Sequence, residues 1–197
     1  MVKKFVFLSL LSLFIVSCSR EAVFSDVKIN NRYTVSIPDY LQPCSDLHKE
    51  ASLQYQNIEK DVYAIVIDEK KKTMVNYDLN FNVDLYFNNI AKQGFIETIK
   101  NGKISIPGRE TINGNKALIA EVTGMVDQTE VFYKLAVIET PFTFYQILVW
   151  TRAENKTKYE PDMMKIIESF KEMKLSKDEL PVPKEEQPEK FTIKLKY

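Results

Sequence analysis

Histidine occurs once and cysteine twice in 197 residues. So few of either removes most zinc sites, which are built from clusters of His, Cys and carboxylate ligands. It also removes most pairings of a nucleophile with an imidazole base. Glycine is scarce as well, with 5 residues, which leaves no glycine-rich loop of the kind that cradles phosphates. No charge of one sign is in excess, since 27 basic residues balance 27 acidic ones. A nucleic-acid surface is basic, so nucleic acid is not expected as a partner. What is present is a globular composition, 45% hydrophobic and 27% charged. The length fits one domain with tails.

The longest apolar run stands at the start. Lys3 and Lys4 precede Phe5 to Val16, apolar throughout except for Ser9 and Ser12. This run is too short for a hydrocarbon core, which takes roughly 20 residues. A positive segment followed by a short apolar one is the layout of a secretory signal peptide. The next residues, Ile15-Val16-Ser17-Cys18, resemble a bacterial lipobox. That resemblance implies cleavage before Cys18 and acyl chains on its thiol and new amine, making Cys18 the lipid-attachment site. Residues 1–17 are then the signal peptide and 18–26 a short tether. Two acyl chains anchor stably where one is marginal. Losing Lys3 and Lys4 leaves the mature chain slightly acidic. Ser19, rather than Asp, follows the Cys. By resemblance to lipoprotein sorting, this places the domain in the cell envelope on the outer membrane, facing the periplasm. The expected partners are the membrane, through the acyl chains, and an envelope protein.

Residues 27–175 read as the folded domain. Tyr33, Val35 and Ile37 alternate with Thr34 and Ser36, which predicts a half-buried strand ending at Pro38. Ser52 to Asn57 is a weaker strand. Asp61 to Ile67 is apolar on both faces, as for a central strand covered on each side. Lys70, Lys71 and Lys72 read as a solvated strand end. The period then changes: Leu79, Val83, Tyr86, Phe87, Ile90 and Ala91 form a helical stripe. Asp78 or Asn80 is the expected cap, and Gly94 the residue after the end.

From Lys103 to Arg152 the pattern is a β-meander. Ile104 to Ile112 is its first strand, broken or bulged at Pro107-Gly108. Asn113-Gly114 is a hairpin turn. Ala117 to Val126, Val131 to Ile138 and Phe142 to Thr151 follow, with Asp127-Gln128 as the middle turn. The last strand puts Phe144, Leu148 and Trp150 on one face and Tyr145, Ile147 and Val149 on the other, so it needs cover on both sides. A helix near Pro161 to Met173, with Tyr159, Met163, Ile166, Ile167, Phe170 and Met173 as its stripe, supplies the second cover. Ser176 to Lys190 is a Pro-rich charged linker. Phe191-Thr-Ile-Lys-Leu-Lys-Tyr197 then alternates perfectly and reads as an extra strand that docks elsewhere.

The fold class is α+β: a mostly antiparallel sheet covered by helices. Tyr33 to Pro38, Ile112-Asn-Gly-Asn115 and Ile166-Ile-Glu-Ser-Phe-Lys171 carry a resemblance to the PsbP/Mog1 superfamily of α/β/α sandwiches. That resemblance implies a fold that hosts small-GTPase regulators, photosystem assembly proteins and secreted proteins, and it transfers no catalytic residue.

Cys44 loses its only possible partner once Cys18 is acylated. It is then a reactive thiol, a link to another chain, or a small buried residue, the commonest state of free Cys. Cys44 and His48 would share a face of a helix, near Asp46 and Glu50. A nucleophilic Cys needs a base within reach and a group that orients the base. Pro43 precedes the pair and no pattern supplies the third group, so a polar loop or short helix between strands is expected. Asp68-Glu69 and Glu185-Glu186 are adjacent pairs, and neighbours on a strand point to opposite faces. No catalytic, cofactor-binding or metal-ligating residue is assigned, and no cofactor is expected. The expected function is that of a membrane-anchored lipoprotein with a non-catalytic binding or assembly domain. The alternative is an envelope enzyme whose thiol or carboxylate site is hidden from sequence spacing.

Overall fold

The computed structural model describes residues 21–74, 81–96 and 99–173. The signal peptide, Cys18, the Leu79 end of the helical stripe, the linker at 176–190 and the strand at 191–197 lie outside the described residues.

A large antiparallel sheet forms the middle layer. Its strands are β3 (Gln42–Pro43), β4 (Ala51–Asn57), β5 (Val62–Lys70), β6 (Lys100–Ile104), β7 (Gly108–Ile112), β8 (Asn115–Val126), β9 (Thr129–Glu139) and β10 (Thr143–Arg152). They run in the order β3-β4-β5-β10-β9-β8-β6, and β7 also pairs with β8. Two tight hairpins set the register of β8. Asn113 (φ 47) and Gly114 (φ 84) turn β7 into it, and Asp127 (φ 46) and Gln128 (φ 68) turn it into β9. These left-handed angles match the twist of the paired strands. The stretch expected to be broken or bulged at Pro107-Gly108 is broken there: the chain leaves the ladder after Ile104 and rejoins it at Gly108, giving two strands.

Each face of the sheet is filled. On one, beyond the single turn α1 (Lys71–Met74), α2 (Val83–Tyr86) runs through a π turn at Phe87–Ala91 into α3 (Lys92–Ile96). Val83, Tyr86, Phe87 and Ala91 pack there on Ile65, Leu118, Leu135, Phe144 and Leu148. The Asn82 side chain caps this helix by accepting from Leu85 N at 3.0 Å. The start is therefore later than the Asp78 or Asn80 expected, and Gly94 lies inside α3 rather than after its end. Gly124 on β8 is needed at this face, because a Cβ there would collide with the Ile99 side chain.

The other face is covered by α4 (Lys156–Glu168) and by a second, three-stranded sheet. That sheet comprises β1 (Phe24–Ile29), β2 (Tyr33–Pro38) and β11 (Lys171–Glu172), in the order β1-β2-β11. Tyr33, Val35, Phe132, Ile147, Tyr159, Met163, Ile166 and Phe170 meet in this layer. The alternation read along β10 is confirmed, with Tyr145, Ile147 and Val149 here and Phe144, Leu148 and Trp150 opposite. Three expectations are corrected. Phe24 to Asp26, read as tether, begin β1 and are held by β2. The final helix starts at Lys156, five residues before Pro161, and stops at Glu168; Phe170 is buried beyond its end. Lys71 is not a solvated strand end: its Nζ donates to Glu139 Oε1 at 2.7 Å and lies 4.7 Å from the Phe144 ring centre.

An ionic cluster ties α4 to the sheet. Lys134 Nζ reaches Glu121 at 2.8 Å and Glu160 at 2.7 Å, and Lys156 Nζ reaches Glu121 at 2.8 Å. Burial pulls the Lys134 ammonium down, but the hydrogen bonds to Glu121 and Glu160 outweigh it and its pKa is raised. Hydrogen bonds from Lys134 and then Lys156 lower the Glu121 carboxyl to about 2. A depressed carboxylate stabilises the fold above its unfolded pKa, and that stability is lost as pH falls through the folded value. Glu121 is partly exposed, so solvent screening leaves a contribution of about 1 kcal/mol. Glu121→Gln is expected to cost about that much at pH 7 and almost nothing near pH 2. Denaturant titrations of both proteins across this range check it, and a penalty unchanged at pH 2 contradicts it.

Candidate functional site

The described surface has an open cleft of about 400 Å³ where the N-terminal strand enters the domain. Three separate segments build it. At the first, Asp39 N donates to Val23 O at 2.8 Å, and Val23 N donates back to the Asp39 carboxylate at 3.4 Å. This fixes Glu21 and Ala22 beside Tyr40. At the second, Asn57 caps the β4–β5 turn by accepting from Lys60 N at 2.8 Å, while its Nδ2 donates to Tyr40 O at 2.6 Å. The turn that carries Lys60 is thereby pinned to Tyr40. The third is the first half of α4, where Lys158 and Asp162 share a face at i, i+4 and Tyr159 points inward, 5% exposed.

Tyr40 OH donates to Asp162 Oδ2 at 3.0 Å. Burial, then the Asp162 charge, raise its pKa, so at neutral pH the hydroxyl keeps its proton and acts as a donor. The Tyr40 and Tyr159 rings lie 5.9 Å apart, tilted by 46°. Lys60 Nζ stands 6.0 Å from the Tyr40 ring centre and Lys158 Nζ 4.9 Å from that of Tyr159. The outcome is a tyrosine floor under two ammonium groups, with carboxylates at the rim. Such a surface can hold an amphipathic group by charge and by contact with the partly exposed Tyr40 ring. It places no activated nucleophile and no base near a reacting atom.

Cys44 and His48 sit elsewhere, in the loop between β3 and β4, and they are not hydrogen-bonded to each other. Cys44 N donates to Gln54 O at 3.0 Å. Gln54 organises the loop: its Oε1 accepts from Leu47 N and His48 N, and its Nε2 donates to His48 O. His48 Nδ1 accepts from Glu50 N at 3.2 Å, within the loop itself. Burial and then Asp46 raise the Cys44 thiol, the reverse of what activates a nucleophile. The adjacent carboxylates of β5 also divide as expected. Asp68 pairs with Arg32, whereas Glu69 accepts from Tyr86 OH at 2.9 Å on the opposite side of the sheet. Among the described residues no group of three or more His, Cys, Asp or Glu is placed to hold a metal, and no helix is long and apolar enough to cross a membrane. Cys18 lies outside the described residues.

Sequence reasoning missed the cleft residues. Tyr159 was legible only as core. Tyr40, Lys60 and Asp162 lie in segments far apart in the chain, and no spacing announces their convergence.

No family model matches the chain, and no curated protein does. Solved structures with a similar fold do exist. One is cyanobacterial PsbP (CyanoP) from Synechocystis, 12% identical over 81% of this chain and 98% of that one, with a TM-score of 0.53. Another is LpqN of Mycobacterium tuberculosis, involved in cell envelope biogenesis. It is 8% identical over 72% of this chain and 83% of that one, with a TM-score of 0.55. At these identities the likeness is one of fold: the domain is α+β and PsbP-like. A shared fold leaves the function to the site.

Proposed function

We propose that this chain is a lipoprotein of the bacterial cell envelope, anchored through acyl chains on Cys18 to the outer membrane and facing the periplasm. Its domain binds or helps assemble a partner and performs no catalysis. The observation that carries this reading is the position of Glu21 and Ala22 in the cleft wall. Only the stretch from Cys18 to Val23 separates the anchor from the fixed backbone. Those few residues span at most about 20 Å when fully extended. The cleft therefore opens close to the bilayer surface, where a membrane or envelope partner would be met. The cell-envelope role of LpqN, a protein of similar fold, agrees with this reading. So does the filling of both sheet faces by side chains.

The test is complementation of a deletion strain. Cys44→Ser and His48→Ala are expected to restore function fully, with only modest loss of stability. The double variant Lys60→Glu with Lys158→Glu is expected to fold yet fail. Photocrosslinkers at positions 60 and 158 in whole cells should give an adduct that one at exposed Glu110, on β7, does not. Loss of function in folded His48→Ala protein would overturn the non-catalytic reading, and full function in the double lysine variant would remove the cleft from it.

A further inference from the structure

We propose that residues 191–197 form a fourth strand of the small sheet, antiparallel to β1 and on its open side. Phe191, Ile193, Leu195 and Tyr197 alternate with Thr192, Lys194 and Lys196, so an extended chain here has one apolar face and one polar face. A strand of that kind needs partners for its backbone and cover for its apolar side.

The small sheet offers both. Among the described strands, β1 is the longer of the two outer members and pairs only with β2. Its Val27 and Ile29 lie opposite Val35 and Tyr33, which are completely buried. Yet Val27 and Ile29 are themselves only partly buried, at the rim of the core. A strand laid beside β1 would carry its apolar face onto that rim and extend the core by one row. The polar face of β1 carries Asp26 and Lys28, so Thr192, Lys194 and Lys196 would share it with one charge of each sign.

The chain also ends its described course in the right place. Met173 N donates to Arg32 O at 2.7 Å, and Arg32 N donates to Ile29 O at 2.8 Å. Met173 therefore stands at the β1–β2 turn, beside the end of β1. From there a strand running back along β1 is antiparallel to it. Crossing from β11 past β2 and β1 takes a few strand spacings of about 4.8 Å each. The linker at 176–190 spans about 50 Å when extended, so reach is ample. The other exposed edges fit less well. β3 and β11 are each two residues long, β3 ending at Pro43, while β6 shows Lys100, Asn101 and Lys103 and β7 shows Arg109, Glu110 and Thr111 to solvent rather than an apolar rim. Closing the β1 edge would also block strand addition by other chains, and the tether favours pairing within one molecule.

Amide exchange on the full chain at low protein concentration tests this, with Ile193→Asp/Leu195→Asp as the disrupted form. The proposal expects amides at 192–196 and along β1 to be slowed at least about tenfold relative to an open chain. It expects the double variant to lose that protection in both segments, with β7 unchanged. Unprotected amides at 191–197 in the intact monomer would overturn it. So would protection that appears only as concentration rises, which points to a second copy, or a loss in β7 instead of β1.

Discussion

Phe132→Ala is expected to lower the stability of the domain by about 3–5 kcal/mol, the range for removing a large aromatic from a packed core. Phe132 on β9 is completely buried. It lies in the layer between the large sheet and α4, among Tyr33, Ile147 and Met163. Its ring does more than fill space. Lys156 Nζ lies 4.4 Å from the ring centre and Lys134 Nζ 5.7 Å from it, the two cations that also bind Glu121. Alanine there leaves a cavity below the ionic cluster and removes a favourable surface for two ammonium groups. Ile106, 94% exposed in the break between β6 and β7, serves as the control; its replacement by Ala should change stability by less than about 0.5 kcal/mol. Urea unfolding of the three proteins with unchanged slopes measures both effects. A loss below about 1 kcal/mol for Phe132→Ala would mean that α4 is not firmly packed on this face.

The second large effect concerns location. Cys18→Ala is expected to abolish fatty-acid labelling and to remove the mature-size protein from washed membranes. Each buried methylene contributes about 0.8 kcal/mol, so two or three acyl chains hold a domain for far longer than one. No described helix is long and apolar enough to cross a membrane. The variant should keep the spectrum and unfolding behaviour of the wild-type domain, because the first residues held by the fold, Val23 and Phe24, lie five and six positions after Cys18. Retention of mature-size Cys18→Ala protein in washed membranes would show that something other than acyl chains holds it there.

The parts of the fold legible in the sequence are those with a strong local code. Tyr33 to Ile37 is a strand because its alternation is strict, with Tyr33, Val35 and Ile37 buried and Thr34 and Ser36 only partly so. Asn113-Gly114 is a hairpin because few other residue pairs take positive φ at both places. The double apolar face of β10 required two covers, and two are present. What escaped was set by tertiary context. The β1 sequence, Phe-Ser-Asp-Val-Lys-Ile, alternates poorly and forms a strand because β2 pairs with it throughout. A two-residue strand such as β11 carries no periodicity at all. The helix near Val83 begins at Asn82 because that side chain is the one that reaches Leu85 N, a choice among several Asn and Asp residues that spacing alone does not make. The loop with Cys44 and His48 was correctly read as polar, although its organiser, Gln54, comes from the next strand. The cleft was invisible for the same reason. Tyr40, Lys60 and Asp162 meet only after β2, the β4–β5 turn and α4 have been assembled.

The most direct test of a membrane-tethered domain is the mass of the N-terminal peptide from protein extracted out of washed membranes. The account predicts a peptide that begins at Cys18 and carries a diacylglyceryl group, with a further acyl chain on its amine. A peptide from membrane-bound protein that retains residues 1–17, or that carries Cys18 as an unmodified thiol, would contradict it.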